Sequence, residues 1–154
     1  MSKVLNAPDT LSGREGKAYA QINGINEELF FIKKIDAVVN KKKAEVGAVG
    51  KRMSGYKTTG LNGTGDLTLY FMSPVFRRQI SQYKETGRDV YFNLVFINDD
   101  PASRAGKQEV LLLNVNLDST MLGNLDSDSD DPMTEDCSFT FEDFVILRHF
   151  NDID

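Results

Sequence analysis

DLTLYFMSPVFRRQISQYKETGRDVYFNLVFI, residues 66–97, changes its hydrophobic period twice. Over 66–71, Leu67, Leu69 and Phe71 alternate with Thr68 and Tyr70, the period of two that marks a half-buried strand. Ser73 and Pro74 then offer an N-cap and an N1 proline. Phe76, Ile80 and Tyr83 recur at i, i+4 and i+7, and Gly87 follows Lys84 as a stop. The spacing predicts one amphipathic helix over 74–86, with Arg77, Arg78 and Lys84 on its solvated side. The run from Val90 to Ile97 is apolar on both faces, which predicts a strand at the centre of the core, covered by the helix on one side and by a sheet on the other.

Upstream, Ala18, Ala20 and Ile22 alternate with polar residues, and Asn23-Gly24 stands between Ile22 and Ile25 as a hairpin turn, since both residues tolerate positive φ. The return strand is expected through Leu29 to Ile35, or as far as Val39. Residues 1–15 show no period and read as an N-terminal arm. Downstream, 98–107 is rich in turn residues. Leu111, Leu113, Val115 and Leu117 then alternate with Leu112, Asn114, Asn116 and Asp118, a strand with a polar second face. Residues 138–147 alternate through Phe139 and Phe141, lose phase at Glu142-Asp143 and resume at Phe144, the mark of a bulge. Six or seven strands with one helix in the middle give a single mostly β (α+β) domain: an antiparallel sandwich or partial barrel with a flanking helix.

Residues 40–65 fit neither period. They hold six glycines, at 47, 50, 55, 60, 63 and 65, and few apolar anchors, so they read as a long Gly-rich loop or an extended hairpin. Loops of that length are uncommon in compact domains unless functional or disordered, which makes this segment the first place to look for contacts outside the chain. It is also strongly basic. Between Lys33 and Lys57 there are eight basic residues (Lys33, Lys34, Lys41, Lys42, Lys43, Lys51, Arg52, Lys57) against Asp36 and Glu45. From Asp118 onward eleven acidic residues face only Arg148. Copies packed head to tail can set one cluster against the other. Nucleic acid accounts less well for the basic run, because the net charge of the chain is -5 and Tyr56 is the one aromatic among those lysines.

Chemistry finds little support. One cysteine, Cys137, and one histidine, His149, exclude an internal disulfide and an all-cysteine metal cage, and nothing in the sequence brings the two together as nucleophile and base. Asp126, Asp128 and Asp130 start like a calcium loop, but Asp131 occupies the turn position that needs Gly, and Cys137 the closing position that needs Glu. The glycines at 60–65 follow Lys57-Thr58-Thr59 instead of preceding them, unlike a phosphate loop. Asn62-Gly63-Thr64 reads as a turn in a chain that shows no secretory signal, and no apolar run is long enough to cross a bilayer. Neither a cofactor nor a metal is expected, and a cytoplasmic site of synthesis is.

Three segments carry a resemblance. The stretch from Gly50 to Gly65 (GKRMSGYKTTGLNGTG) resembles the signature loop of the tail tube proteins of PBSX-like phage elements. Residues 113–119 (LNVNLDS) resemble that family's V-N-hydrophobic-D-S strand, and 139–144 (FTFEDF) its F-T-F-E-D-F strand; the segment 10–16 begins similarly. The resemblance implies a subunit of the inner tube of a contractile tail or tail-like bacteriocin: a β-sandwich with a flanking helix, forming six-membered rings that stack inside a sheath. It implies that sheet edges join around the ring into one barrel, and that the partners are other copies of the chain, the sheath, baseplate and terminator proteins, and a tape measure in the lumen. Passage of DNA is implied, without sequence-specific binding. On this reading Lys41, Lys42, Lys43, Lys51, Arg52, Met53, Tyr56, Lys57, Thr58 and Thr59 form an inter-ring loop. Asn114, Asn116, Asp118, Asp126, Asp128, Asp130 and Asp131 form an acidic interface or line the lumen. The alternatives are another ring-forming tube piece of a baseplate or secretion-type injection system, and a small-ligand binder or enzyme built on Lys57 and the glycines.

Overall fold

A computed structural model describes residues 7, 16–22, 25–28, 32–70 and 74–151. The expected arm over 1–15, apart from Ala7, and the Asn23-Gly24 turn lie outside the described residues. Eight strands and one helix follow in the order β1 (Gly16–Ile22), β2 (Ile25–Glu28), β3 (Ile32–Val46), β4 (Gly55–Tyr70), α1 (Val75–Thr86), β5 (Phe92–Asp99), β6 (Lys107–Leu117), β7 (Thr134–Phe141) and β8 (Asp143–Arg148). The strands pair antiparallel in the spatial order β2-β1-β5-β6-β7-β4-β3, with β8 also on β6. One apolar cluster unites both halves of this path: Ala18, Ala20, Leu94, Leu112 and Val115 from one, Leu67, Leu69, Cys137, Phe139 and Phe141 from the other. The sheet therefore folds over on itself as a sandwich, as its alternation predicts. Each fully buried Leu or Phe contributes about 1.5–3 kcal/mol.

The corner of the sandwich lies where two strands lose phase opposite each other. Asn114 takes φ 54, a left-handed bulge in β6, so that Leu112 and Val115 both point into the core although they are three residues apart. Facing it, Glu142 separates β7 from β8. Its N–H donates to the Leu113 carbonyl at 3.1 Å, and Asn114 Nδ2 donates to Glu142 Oε2 at 3.0 Å. The expected bulge at Glu142-Asp143 is thus the point where the chain leaves β4 and β7 to run beside β6 as β8. The simple alternation expected for 111–118 fails for the same reason.

Four further expectations are corrected. The return strand of the first hairpin is β2, paired through Ile22↔Ile25, while residues 32–46 form a separate strand on β4. The helix starts at Val75 with Pro74 as its N-cap, Arg78 N–H donating to the Pro74 carbonyl at 3.0 Å; Gly87 closes it in the left-handed region as expected, at φ 73. The helix is held by fewer contacts than its apolar stripe suggests. Phe76 is buried and stacks on Phe92 at 6.2 Å, but Ile80 and Tyr83 stay 42% and 49% exposed. Arg77, expected on the solvated side, turns inward onto Glu135.

Of the two forms expected for the 40–65 segment, the structure takes the extended hairpin and not the loop. The segment is the outer part of the β3–β4 hairpin, paired from Asn40↔Asn62 to Val46↔Gly55, with only 47–54 left as a turn. Its glycines are there for packing as well as for turning. The inward rows of this half of the sheet are Ile35–Leu67–Cys137, Ala37–Gly65–Phe139 and Val39–Gly63–Phe141. A Cβ on Gly63 would enter the Phe141 ring, and one on Gly65 the Phe139 ring and the Asp36 carbonyl. Glycine in a strand marks such a close approach.

Candidate assembly surfaces

The hairpin projects beyond its neighbours. β4 pairs with β7 only from Gly63 onward, so residues 40–62 continue as a two-stranded ribbon, roughly 20–25 Å long at about 3.3 Å per residue. Lys41, Lys42, Lys43, Lys51, Arg52, Met53, Tyr56, Lys57, Thr58 and Thr59 all lie exposed on this ribbon or its turn. Thr59 Oγ1 donates to the Lys42 carbonyl at 3.3 Å, and Asn40 Nδ2 to Thr64 Oγ1 at 3.2 Å. Gly50, at φ 84, lets the turn close with Lys51 N–H donating to the Ala48 carbonyl at 3.2 Å. Val49 and Met53 stand at the tip, 107% and 80% exposed. Isolated two-stranded ribbons are marginal in water, so an exposed one gains from being covered.

The outward face of β3, β4 and β7 is polar, and sequence reading did not find it. Its rows are Lys34–Thr68–Asp136, Asp36–Asp66–Ser138 and Val38–Thr64–Thr140, continued across the sheet by Asn116 opposite Thr140. Thr68 Oγ1 donates to Asp136 Oδ1 at 2.7 Å, and Ser138 Oγ to Asp66 Oδ1 at 2.8 Å. The result is a mainly polar surface of carboxylates, hydroxyls and an amide, in which Lys34 Nζ lies 3.9 Å from Asp36 Oδ2 and Val38 stands exposed. Of the predicted acidic set, Asn116 joins this face in register, and Asp118 follows it two residues on at the end of the same ladder. Asn114 is committed to the corner, and Asp118 N–H donates to the Ser138 carbonyl at 2.8 Å.

Asp126, Asp128, Asp130 and Asp131 lie instead in the irregular connection 118–133 between β6 and β7, all exposed. Asp126 Oδ1 accepts the Asp128 N–H at 3.0 Å in a local turn. Among the described residues no group of three His, Cys, Asp or Glu side chains could hold a metal ion. A cleft of about 940 Å³ opens between β3 and the strands carrying Phe96, Val110, Phe144 and Ile146, but Lys57 and the glycines from 47 to 65 do not line it.

Cys137 is buried on the inner face. Desolvation, with the nearby carboxylates of Glu135 and Asp136 adding to it and the Arg77 guanidinium opposing it, pushes the thiol up to about 11. A protonated buried thiol is a poor nucleophile. Iodoacetamide at pH 8 is expected to leave the native protein unmodified and to label it only in urea, read by mass. Because the folded pKa is the higher one, the thiol's contribution to stability is complete below the unfolded value near 9. It is lost as pH rises from there through about 11.

A family model described as phage tail tube protein matches residues 3–148. The chain belongs to that family. Phage-like element PBSX protein XkdM of Bacillus subtilis (strain 168) is 40% identical over 149 residues, covering 97% of this chain and 98% of its own length. The tail tube fold recurs in solved structures of contractile systems. A chain of the anti-feeding prophage baseplate, 6-fold symmetrised, matches with a TM-score of 0.69 at 14% identity, over 96% of this chain and 97% of that one. A chain of the extracellular contractile injection system PVC sheath-tube complex matches with a TM-score of 0.65 at 8% identity, over 90% and 91%. The tail tube family is structural, and the surfaces to explain on this member are those that meet other chains.

Proposed function

We propose that this tail tube protein closes six to a ring, and that the rings stack into the inner conduit of a contractile phage tail or phage-tail-like particle. The observation that carries the reading is the match of residues 3–148 to the family together with a sandwich whose polar β3–β4–β7 face ends at an open strand edge. β3 and β2 end the sheet, and among the described residues their outer edges pair with no strand. Open edges recruit further strands, and closure into a barrel abolishes them. Sixfold symmetry is supported by the symmetry of the anti-feeding prophage baseplate, whose chain shares the fold. A surrounding sheath is supported by the sheath-tube complex. Baseplate and terminator proteins would meet the tube's ends, and a tape measure protein would fill it until release. Assembly takes place in the host cytoplasm and requires no cofactor.

In this ring the Asp36–Asp66–Ser138 face is the lumen surface. Fixed carboxylates repel a DNA backbone, and the hydroxyls and amides between them hold water, so a polyanion slides without adhering. Asp66→Lys with Asp136→Lys is expected to leave tubes intact while making them retain single-stranded DNA in co-sedimentation at low salt; tubes that release DNA as before would move the lumen to another face. The projecting ribbon is the contact between rings.

Negative-stain microscopy of the purified protein across a concentration series, alone and with baseplate components, tests the whole reading. Tubes of uniform width with sixfold end views are expected. A protein that stays monomeric in every condition, nucleated or not, overturns it.

A further inference from the structure

We infer that the tip of the β3–β4 hairpin docks head to tail on the 118–133 connection of a second copy. This rests on the tube reading and adds to it the partner surface. The two segments lie at opposite ends of one strand. β4 begins at Gly55, where Val46↔Gly55 closes the tip, and ends at Tyr70, paired with Thr134, where the connection delivers the chain into β7. At about 3.3 Å per residue its 16 residues separate those ends by roughly 50 Å.

The ends carry opposite charge. Residues 40–62 hold Lys41, Lys42, Lys43, Lys51, Arg52 and Lys57 against Glu45 alone, whereas 118–133 holds Asp118, Asp126, Asp128, Asp130 and Asp131 with no basic residue. Tip against tip or connection against connection is repulsive, so a copy can add in one sense only. A contact between unlike ends is heterologous, and where its rotation does not close a ring it repeats along an axis.

Each end also holds apolar side chains that its own fold does not bury. The tip has Val49 and Met53; the connection has Leu122 and Leu125, 75% and 99% exposed. Leu125 is next to Asp126, and Met53 next to Arg52, so the same approach that pairs the charges covers the apolar groups. Exposed ion pairs are individually weak and screened by salt. They set direction and register, while the apolar contacts hold the joint.

Two charge-reversed proteins test this under conditions in which the unaltered protein forms tubes. One carries Lys51→Glu, Arg52→Glu and Lys57→Glu; the other carries Asp126→Lys, Asp128→Lys and Asp130→Lys. Each then has like charge at both ends and is expected to need at least about tenfold more protein to polymerise. The equimolar mixture should polymerise like the unaltered chain, because each reversed end finds an unlike partner on the other protein. A third variant, Leu122→Asp with Leu125→Asp, should fail to polymerise at the same charge sign on every surface lysine. If either reversed protein polymerises normally alone, or if the mixture stays as poor as its components while all melt normally, the docking is wrong and the tube reading stands. Failure of the unaltered protein, with baseplate present, takes down the tube reading itself.

Discussion

Arg77→Ala is expected to lower the unfolding free energy by about 3–5 kcal/mol, the cost of leaving a buried charge without its partner. Arg77 Nη1 donates to Glu135 Oε2 at 2.6 Å and to the Met121 carbonyl at 3.4 Å. The Glu135 side chain is 1% exposed, and its other oxygen, Oε1, has no hydrogen-bond partner among the described residues. Removing the guanidinium therefore strands a carboxylate in the core beside Leu69 and Cys137. The pair itself contributes far less than that cost, because forming it required desolvating both ions. Arg77→Leu with Glu135→Leu should recover most of the loss, and urea denaturation of the two single variants and the double variant gives the coupling directly. If the single variant and the double variant are equally unstable, the pair matters through packing and not through charge.

The same pair ties three parts of the molecule together: the helix, β7 and the acidic connection. Among the described residues, the Phe76–Phe92 stack is the helix's main apolar anchor, since Ile80 and Tyr83 remain about half exposed. The Met121 hydrogen bond fixes the start of the connection that carries Leu122 and Leu125. Arg77→Ala is thus expected to weaken polymerisation beyond its effect on folding, whereas the double Leu variant restores the fold without restoring the hydrogen bond to Met121.

Local pattern was enough to read β1 and β4 near Leu67, because each buries one face and shows its period; the helix was legible from its spacing and its Gly87 stop, and the strand at Leu94 from an unbroken apolar run. The ribbon was not readable as strand. Residues 41–46 and 56–59 are exposed on both faces, so no alternation betrays them, and six glycines resemble a loop. Gly63 and Gly65 are explained by Phe141 and Phe139, more than seventy positions away, and Arg77 by Glu135; no window of local sequence contains either relation. The polar face had the same difficulty. Asp36, Asp66 and Ser138 become one row only through the register of three strands, whereas Asn114, which looked like part of a polar strand face, is taken by the corner. Charge was legible as two opposite clusters. That they sit at opposite ends of β4 follows from topology alone.

Gly65→Val provides the second large effect, an expected loss of about 3 kcal/mol or more, at the upper end of what overpacking a core costs. A Cβ there meets the Asp36 carbonyl oxygen at 2.5 Å as well as the Phe139 ring. The ring can yield but the carbonyl cannot, because Asp36 is paired across from Asp66 in the β3–β4 ladder. Gly63 differs: its nearest neighbours are all atoms of the Phe141 ring, so Gly63→Ala should be partly rescued by Phe141→Leu, while Gly65→Ala should not be rescued by Phe139→Leu. Gly60, where the nearest atom is Lys42 Cδ at 3.8 Å, supplies the control; Gly60→Ala should melt within a degree or two of the unaltered protein, since surface changes usually stay within about 0.5 kcal/mol. Equal tolerance at 60 and 65 would mean that β3 and β4 do not pack beneath Phe139 as described. The inward rows, and with them the assignment of Asp36 and Asp66 to the outward face, would then be shifted by one residue.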